Sequence, residues 1–390
     1  MKLKKFIAAA WTAAMLVSSA GCSESGNDPV FTVEVTNTLA EQHTVGDESA
    51  EEMITNSPDT EAPETEAKTE APQTEAETRT PVTEAHGNVP DGYREDGESG
   101  IKIISRNGHY MGLMPFWGTF ECCERYAAAL NKAAEALPKV NIYSMVIPTP
   151  SEFYVPEDIT GFTASQKEKI DYISERLEGV VDIDVYSVLQ AHTDEHIYSR
   201  TDHHWQPVGA YYAAEQFART VGVYDKFPPL SDYTEVTREG YVGSLYFYSA
   251  SEALNSDPEP FTLFISPNAD IIKTTYYYDE YLNDGLEGDL FISRDASAYY
   301  TSFLDYHYPV TKIETDCTNG KTLLIMKESY GNALVPFLTE CYQTIYVCDV
   351  KAFYSNVIDF CKEQNVTDLL FATCTYTPAG EVSFIENVIG

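Results

Sequence analysis

No stretch of this chain is long enough and apolar enough to span a bilayer. The most apolar run, Phe6 to Val17, holds about 12 residues where a spanning helix needs about 20. Positive charge is scarce. Lys and Arg number 25 against 61 Asp and Glu, the formal net charge is −36, and no basic stripe gathers the few cations, which excludes nucleic acid as a partner. The eight cysteines show no metal-ligand spacing, which excludes a thiolate zinc site. With Cys22 set aside, the odd seven (Cys122, Cys123, Cys317, Cys341, Cys348, Cys361 and Cys374) predict mostly buried thiols, with room for one disulfide. Nothing in the sequence calls for a cofactor.

What is present first is a leader. Lys2, Lys4 and Lys5 precede the short apolar run, and "SSAGC" follows it, a signal-peptide pattern. The ending resembles a bacterial lipobox, which implies cleavage before Cys22, lipidation of that cysteine and a membrane anchor outside the cytoplasm. Ser19 stands where leucine is usual, so simple secretion after Ala20 is the alternative. From Ser23 to Val89 the chain reads as an acidic tether. "TEA" occurs five times between Thr60 and Ala85, and large apolar residues are almost absent there. Low hydrophobicity with like charge does not offset the entropy of folding, so disorder is expected and self-repulsion extends the segment.

Residues 90–390 remain for one large domain. "VNIYSMVIPTP" (140–150), "VVDIDVYSVL" (180–189), "TLLIMKES" (322–329), "QTIYVCDV" (343–350) and "VTDLLFATC" (366–374) read as buried strands. Helical patterns over 121–137, 165–179 and 353–365 alternate with them, which predicts an α/β domain with a mostly parallel sheet covered on both faces. Residues 228–308, rich in tyrosine, show no clear period and read as an irregular insertion. In such sheets ligands bind beyond the carboxyl ends of the strands.

Two segments carry chemistry-bearing residues. In "RTDHHWQP" (200–207), an extended backbone puts Asp202 and His204 on one side and His203 on the other. A carboxylate beside an imidazole fixes its tautomer and stabilises its cation. Pro207 suits the first turn of a helix, and Ala210, Ala214, Phe217 and Val221 recur at helical spacing behind it. In "LLIMKESYGN" an apolar strand stops at Lys327 and turns at Ser329, the form that exposes a nucleophilic hydroxyl. Gly331 permits an unusual backbone there, and Asn332 is placed either to cap the helix or to donate to an oxyanion. Taken singly, Ser329 and Asp202 read as helix caps, His204 as a core histidine, His203 as a surface residue, Trp205 as packing and Arg200 as a partner for one of many acids. Their conjunction is what points to a site.

"IYSRTDHHWQPVGAYYAAEQFA" (197–218) resembles the signature of the bacterial DHHW family, and "NGKTLLIMKESYGNALVPFLTECYQTIYVCDVKAFY" (319–354) resembles its second block. The likeness extends over "YAAALNKAAEALPKVNIYSMVIPTPSEFY" and "GYVGSLYFYSA" and covers nearly all of 95–380. That family is similar in turn to the SGNH-hydrolase-like domains of alginate O-acetylation proteins. The resemblance implies a three-layer SGNH-hydrolase-like fold, with Asp202 as orienting acid, His204 as base and Ser329 as nucleophile. Two departures stand out: Glu328 replaces the family's aspartate before the serine, and "FLDYHYP" (303–309) replaces a glycine-rich stretch.

Three functions fit. The first is an extracytoplasmic serine esterase or O-acyltransferase, O-acetyl in the first instance, acting on a cell-surface polysaccharide. Its partners would be the polysaccharide acceptor and, by analogy, a membrane-bound acyl donor protein. Arg200, Tyr198, Tyr154, Asn332 and Gly331 are the candidate substrate or oxyanion contacts. The second is a non-catalytic polysaccharide-binding lipoprotein on the same fold. The third is a metal-dependent hydrolase using the Asp-His-His run with Asp182 and Asp184.

Overall fold

A computed structural model describes residues 82–305 and 308–390. The signal peptide, Cys22 and all but the end of the expected tether lie outside the described residues. Eight strands form the main sheet: β1 Asn141–Ile147, β2 Val181–Asp182, β3 Lys273–Tyr277, β4 Leu286–Gly288, β5 Val310–Glu314, β6 Thr322–Lys327, β7 Thr344–Asp349 and β8 Asp368–Cys374. Their spatial order is β2-β1-β8-β6-β7-β5-β3-β4. The five strands from β2 to β7 pair in parallel, and β5, β3 and β4 extend the sheet antiparallel.

The parallel strands are apolar on both faces because both faces are covered. Alternation along each strand divides their side chains between two separate cores. Tyr143, Met145, Leu323, Ile325, Ile345, Val347 and Leu370 point into one. Ile142, Val146, Leu324, Met326, Tyr346, Leu369 and Phe371 point into the other. The second core is roofed by α1 Phe120–Ala136, α2 Gln166–Ser174, α5 Val357–Glu363 and α6 Ser383–Ile389. The first is roofed by α3 Val185–Ala191, α4 Pro207–Thr220 and the tight helix at Ser329–Leu338. Three layers result.

Local chemistry sets the helix ends. Thr119 and Ser165 accept the N–H of Cys122 and Glu168 and so start α1 and α2, while Pro207 opens α4. The α2 pattern runs only to Ser174, not to Gly179. The strand expected over 180–189 is corrected. It lasts two residues, because the Asp184 carboxylate accepts the Ser187 N–H at 3.0 Å and caps α3, which buries Val185 and Leu189 on one face. All seven described cysteines are free thiols, so the disulfide for which the count left room is not formed among them.

The 228–308 segment has more order than its sequence pattern suggested. Thr234–Tyr241 pairs antiparallel with Glu259–Ile265, two short helices (Ser244–Ser249 and Glu252–Ser256) lie between them, and β3 and β4 join the main sheet. The charged, mostly exposed strand 234–241 carries little apolar alternation for a pattern to show.

Folded structure also starts before Pro90. The Val82 N–H donates to Glu195 Oε2 at 3.2 Å, its carbonyl accepts the His196 N–H at 2.9 Å, and its side chain packs on the first core. Glu84 receives Nε and Nη2 of buried Arg200 at 2.8 and 2.9 Å. The Gly87 and Val89 N–H groups donate to the carbonyls of Asn107 and Gly108. A Cβ on Gly87 would lie 2.2 Å from the Gly108 oxygen, so this approach requires glycine. Hydrogen bonds to charged groups contribute about 1.5–3 kcal/mol each. A chain beginning at Pro90 is therefore expected to unfold at lower urea than one beginning at Val82, by about 2 kcal/mol. Equal midpoints would show that the strap adds nothing.

Candidate active site

Strand β6 delivers Lys327 to the end of the sheet, and three linked interactions shape the turn beyond it. Lys327 Nζ pairs with Asp349 Oδ2 at 3.0 Å, both nearly fully buried, and locks the ends of β6 and β7 together. Breaking such a pair by removing one partner costs about 3–5 kcal/mol. The Glu328 carboxylate accepts the Tyr330 N–H at 3.0 Å through one oxygen and the Cys374 N–H at 2.7 Å through the other. It thereby ties the turn to the end of β8. Gly331 sits where a Cβ would come 2.4 Å from Lys327 Cβ. Its φ is not positive, so the glycine answers a close approach and not the unusual backbone that the sequence suggested. Ser329 begins the helix, half-buried, at the tip.

The 199–206 segment, packed on the same first core, meets this turn. Asp202 Oδ1 accepts both the backbone N–H of His204 at 3.0 Å and its Nδ1–H at 2.6 Å. The carboxylate thus reaches i+2 through a local turn and not through an extended strand. Asp202 Oδ2 accepts the Ser244 N–H at 2.8 Å, and Gly243 leaves room for it, since a Cβ there would lie 2.4 Å from that oxygen. Burial alone would raise the Asp202 carboxyl, but the His204 and His203 imidazoles and these hydrogen bonds outweigh it and hold the group well below the usual carboxylate range. His204 Nε2 lies 2.8 Å from Ser329 Oγ. Asp202, His204 and Ser329 therefore stand in one hydrogen-bonded line, with the imidazole fixed as the tautomer that accepts a proton at Nε2.

Aromatic rings clamp that imidazole. Tyr300 stacks on His204 at 3.7 Å and 6°, and the His203 ring lies 3.8 Å away at 37°. The Tyr300 hydroxyl donates to the carbonyl of Ser329, and Trp205 Nε1 donates to the Tyr330 carbonyl and the Tyr300 hydroxyl. The Tyr330 hydroxyl donates to the His203 carbonyl. This corrects the expected placement of His203, which touches His204 rather than facing away, because the backbone at 201–204 bends.

Other predicted residues go elsewhere. Arg200 is buried among Glu84, Asp257 and the carbonyls of Tyr110 and Asp257. Tyr198 is fully buried, its hydroxyl donating to the Pro148 carbonyl at 2.6 Å, and Tyr154 stacks under the Arg106 guanidinium. Each of these three is thus engaged by partners other than Asp202, His204 and Ser329. Asn332 does not cap the helix, which Glu328 does, and its Oδ1 is buried without a partner among the described residues. The Gly331 N–H donates to the Glu328 carbonyl. Asp184 is spent on its cap, and neither it nor Asp182 joins the His/Cys/Asp/Glu group at 202–204, whose ligand atoms lie within 4.8 Å of one another. In that group Asp202 Oδ1 and His204 Nδ1 are already bonded to each other. Tyr300, Tyr330 and Ser244 were not singled out in the sequence. Tyr300 and Ser244 come from the segment without period; Ser244 carried a signal only through the family likeness of "GYVGSLYFYSA", and Tyr330 through its place next to Ser329.

Fold and site together define a three-layer α/β domain of the SGNH-hydrolase-like kind, with an acid, a histidine and a serine aligned beyond the strand ends. The chain belongs to the DHHW protein family, whose pattern matches residues 116–348. A DHHW family protein from Eubacterium siraeum is similar at 36% identity and a TM-score of 0.70, over 76% of this chain and 98% of that one. Bacillus cereus PatB1 is similar in fold at 20% identity and a TM-score of 0.60, over 74% and 99%. A PatB1 structure with a sulfonyl adduct gives 18% and 0.60, over 74% and 98%. The O-acetyltransferase domain of Pseudomonas putida AlgJ follows at 15% and 0.40, over 71% and 92%. No curated protein matches the sequence.

The Asp202 carboxyl is held low in the folded state, so its contribution to stability is complete above its unfolded value of about 3.9 and is lost as pH falls below it. Unfolding free energy of the parent chain should fall more steeply between pH 5 and 2 than that of Asp202→Asn. Parallel curves would contradict the assignment of the charge to Asp202.

Proposed function

We propose that this protein is an extracytoplasmic serine esterase or O-acyltransferase, O-acetyl in the first instance, whose acceptor is a cell-surface polysaccharide. The observation that carries the reading is the unbroken line from Asp202 Oδ1 through His204 to Ser329 Oγ, at 2.6 and 2.8 Å. Ser329 Oγ attacks the acyl carbonyl and its proton passes to His204 Nε2, while Asp202 balances the imidazolium. The leaving oxygen takes that proton, and an acyl ester on Ser329 remains. A sugar hydroxyl or water then attacks the ester by the reverse route. The N–H groups of Tyr330 and Gly331 are committed to Glu328, so we assign oxyanion stabilisation to the Ser329 N–H and the Asn332 amide.

Exposed tyrosines support a glycan acceptor. Tyr278, Tyr281 and Tyr354 are each more than two-thirds exposed, and the register puts Tyr277 level with Cys348, at the end of the sheet where Ser329 lies. The net charge of −36 favours a neutral polymer over an acidic one. Among the described residues no helix is long and apolar enough to cross a membrane. Attachment through Cys22 and supply of acyl groups by a membrane-bound donor protein belong to this proposal. The non-catalytic binding reading shares the exposed tyrosines and gives the aligned triad no task.

A sulfonyl fluoride and p-nitrophenyl acetate test the reading on the full chain. Both should modify Ser329, seen as a mass increase that maps to its peptide. Ser329→Ala should abolish the adduct, and His204→Ala should lower turnover at least a thousandfold, as removal of a triad member does elsewhere. An unmodified, folded parent chain would return the weight to the binding reading.

A further inference from the structure

The two histidines of the site meet different partners through Nδ1, Asp202 for His204 and Ser244 for His203. For His204, Nδ1–H donates to Asp202 and Nε2 accepts from Ser329 Oγ. For His203, Nδ1 meets Ser244 Oγ, and that same oxygen accepts the His203 backbone N–H at 3.3 Å. If Nδ1 carried the proton, the hydroxyl hydrogen of Ser244 would have no acceptor among the described residues. With the hydroxyl donating to Nδ1, Ser244 both accepts and donates, and the ring proton is assigned to Nε2. That Nε2–H has no partner among the described residues, and the side chain is 17% exposed. Burial and the neighbouring His204 and Lys351 charges outweigh the pull of Asp202 and bring the His203 imidazole down to about 3, so it remains a neutral ring with one N–H.

The rings lie 3.8 Å apart, and both present Nδ1 to the same oxygen of Asp202, at 2.6 Å for His204 and 3.9 Å for His203. The Nδ1 edges of both rings thus lie on the Asp202 side, and His204 Nε2 is the nitrogen that reaches Ser329 Oγ. With its Nε2 edge turned to the same side as that of His204, the His203 ring would set a proton-donating nitrogen beside the proton-accepting one. A lone alcohol or water engages only the proton-accepting nitrogen. An acceptor with oxygens on adjacent carbons engages both, one hydroxyl giving its proton to His204 while the neighbouring oxygen takes the hydrogen bond from His203.

We propose that His203 is an acceptor-binding residue that selects, for acyl transfer, substrates with two oxygens on neighbouring carbons, the vicinal arrangement of a sugar. The inference rests on the acyl chemistry proposed above. In the transfer step the first hydroxyl oxygen bonds to the acyl carbon and its proton goes to His204 Nε2. The bond from that carbon to Ser329 Oγ breaks, and His204 returns the proton to Ser329. The oxygen held by His203 is not altered. Ser244 positions the donor by fixing its tautomer.

The test uses the full chain, p-nitrophenyl acetate as acyl source, and cis-1,2-cyclohexanediol or cyclohexanol as acceptor, with transfer scored against each variant's own hydrolysis. The parent chain should favour the diol about tenfold, the value of one added neutral hydrogen bond. His203→Phe, which keeps an aromatic ring against His204 but has no N–H, should bring the two acceptors to near parity. Ser244→Ala, which keeps the backbone contact to Asp202, should lower the preference severalfold and serves if the Phe variant does not fold. An acyl adduct on Ser329 with no diol preference in the parent, or a preference unchanged in either variant, overturns the role of His203 alone. Absence of any Ser329 adduct in the parent overturns this inference together with the function on which it rests.

Discussion

A single carboxylate, that of Glu328, joins the end of β6 to the end of β8. Each of its oxygens takes a backbone N–H, one from Tyr330 and one from Cys374, and the Ser329 hydroxyl lies 3.2 Å from the first. Strand ends in a parallel sheet leave peptide groups that the ladder no longer serves, and a buried group of that kind is costly unless paired. Glu328 meets this need and in doing so fixes the turn that carries Ser329. The extra methylene relative to aspartate does not prevent the capping. The Lys327–Asp349 pair on the other flank completes the frame.

Around that frame the imidazole of His204 is constrained on every side. Asp202 holds one edge, Ser329 meets the other, and Tyr300 and His203 cover the faces. Tyr300 is notable for its origin. It belongs to the Ala296–Ser302 segment, far from the parallel strands in sequence, and its hydroxyl reaches the Ser329 carbonyl. The inserted region is thus part of the site and not a separate appendage.

The parallel half of the sheet could be read from the sequence because strands buried on both faces are continuous apolar runs, as in "NIYSMVI" and "DLLFATC". Asp202, His204 and Ser329 were legible through motif and resemblance, and the 2.6 and 2.8 Å contacts fit that reading. The sequence misled where one polar side chain redirects the backbone. Asp184 turned an expected strand into a helix, and Asp202 bent a presumed extended segment, which brought His203 onto His204. Arg200 sits beside the motif in sequence, yet its charge is absorbed by acids from distant segments, which no local pattern encodes. Strands at the antiparallel edge lack the apolar signal of the centre: β4 is exposed, and β3 buries two threonines and a tyrosine rather than an aliphatic run.

Glu84 belongs to the last of the five "TEA" repeats, and that repeat differs from the other four in what precedes it. Valine stands there, where the earlier ones have Asp59, Glu64, Lys68 and Gln73. Only an apolar residue suits the seat of Val82 against the core, so the register of attachment is set by one side chain. The mechanical consequence concerns where tension enters the domain. A pull along the chain from the N-terminal side meets the Val82–His196 backbone bond and the Glu84–Arg200 fork before any strand of the main sheet. Arg200 is two residues from Asp202. The first part of the folded unit to feel such a force is the segment that aligns the histidines.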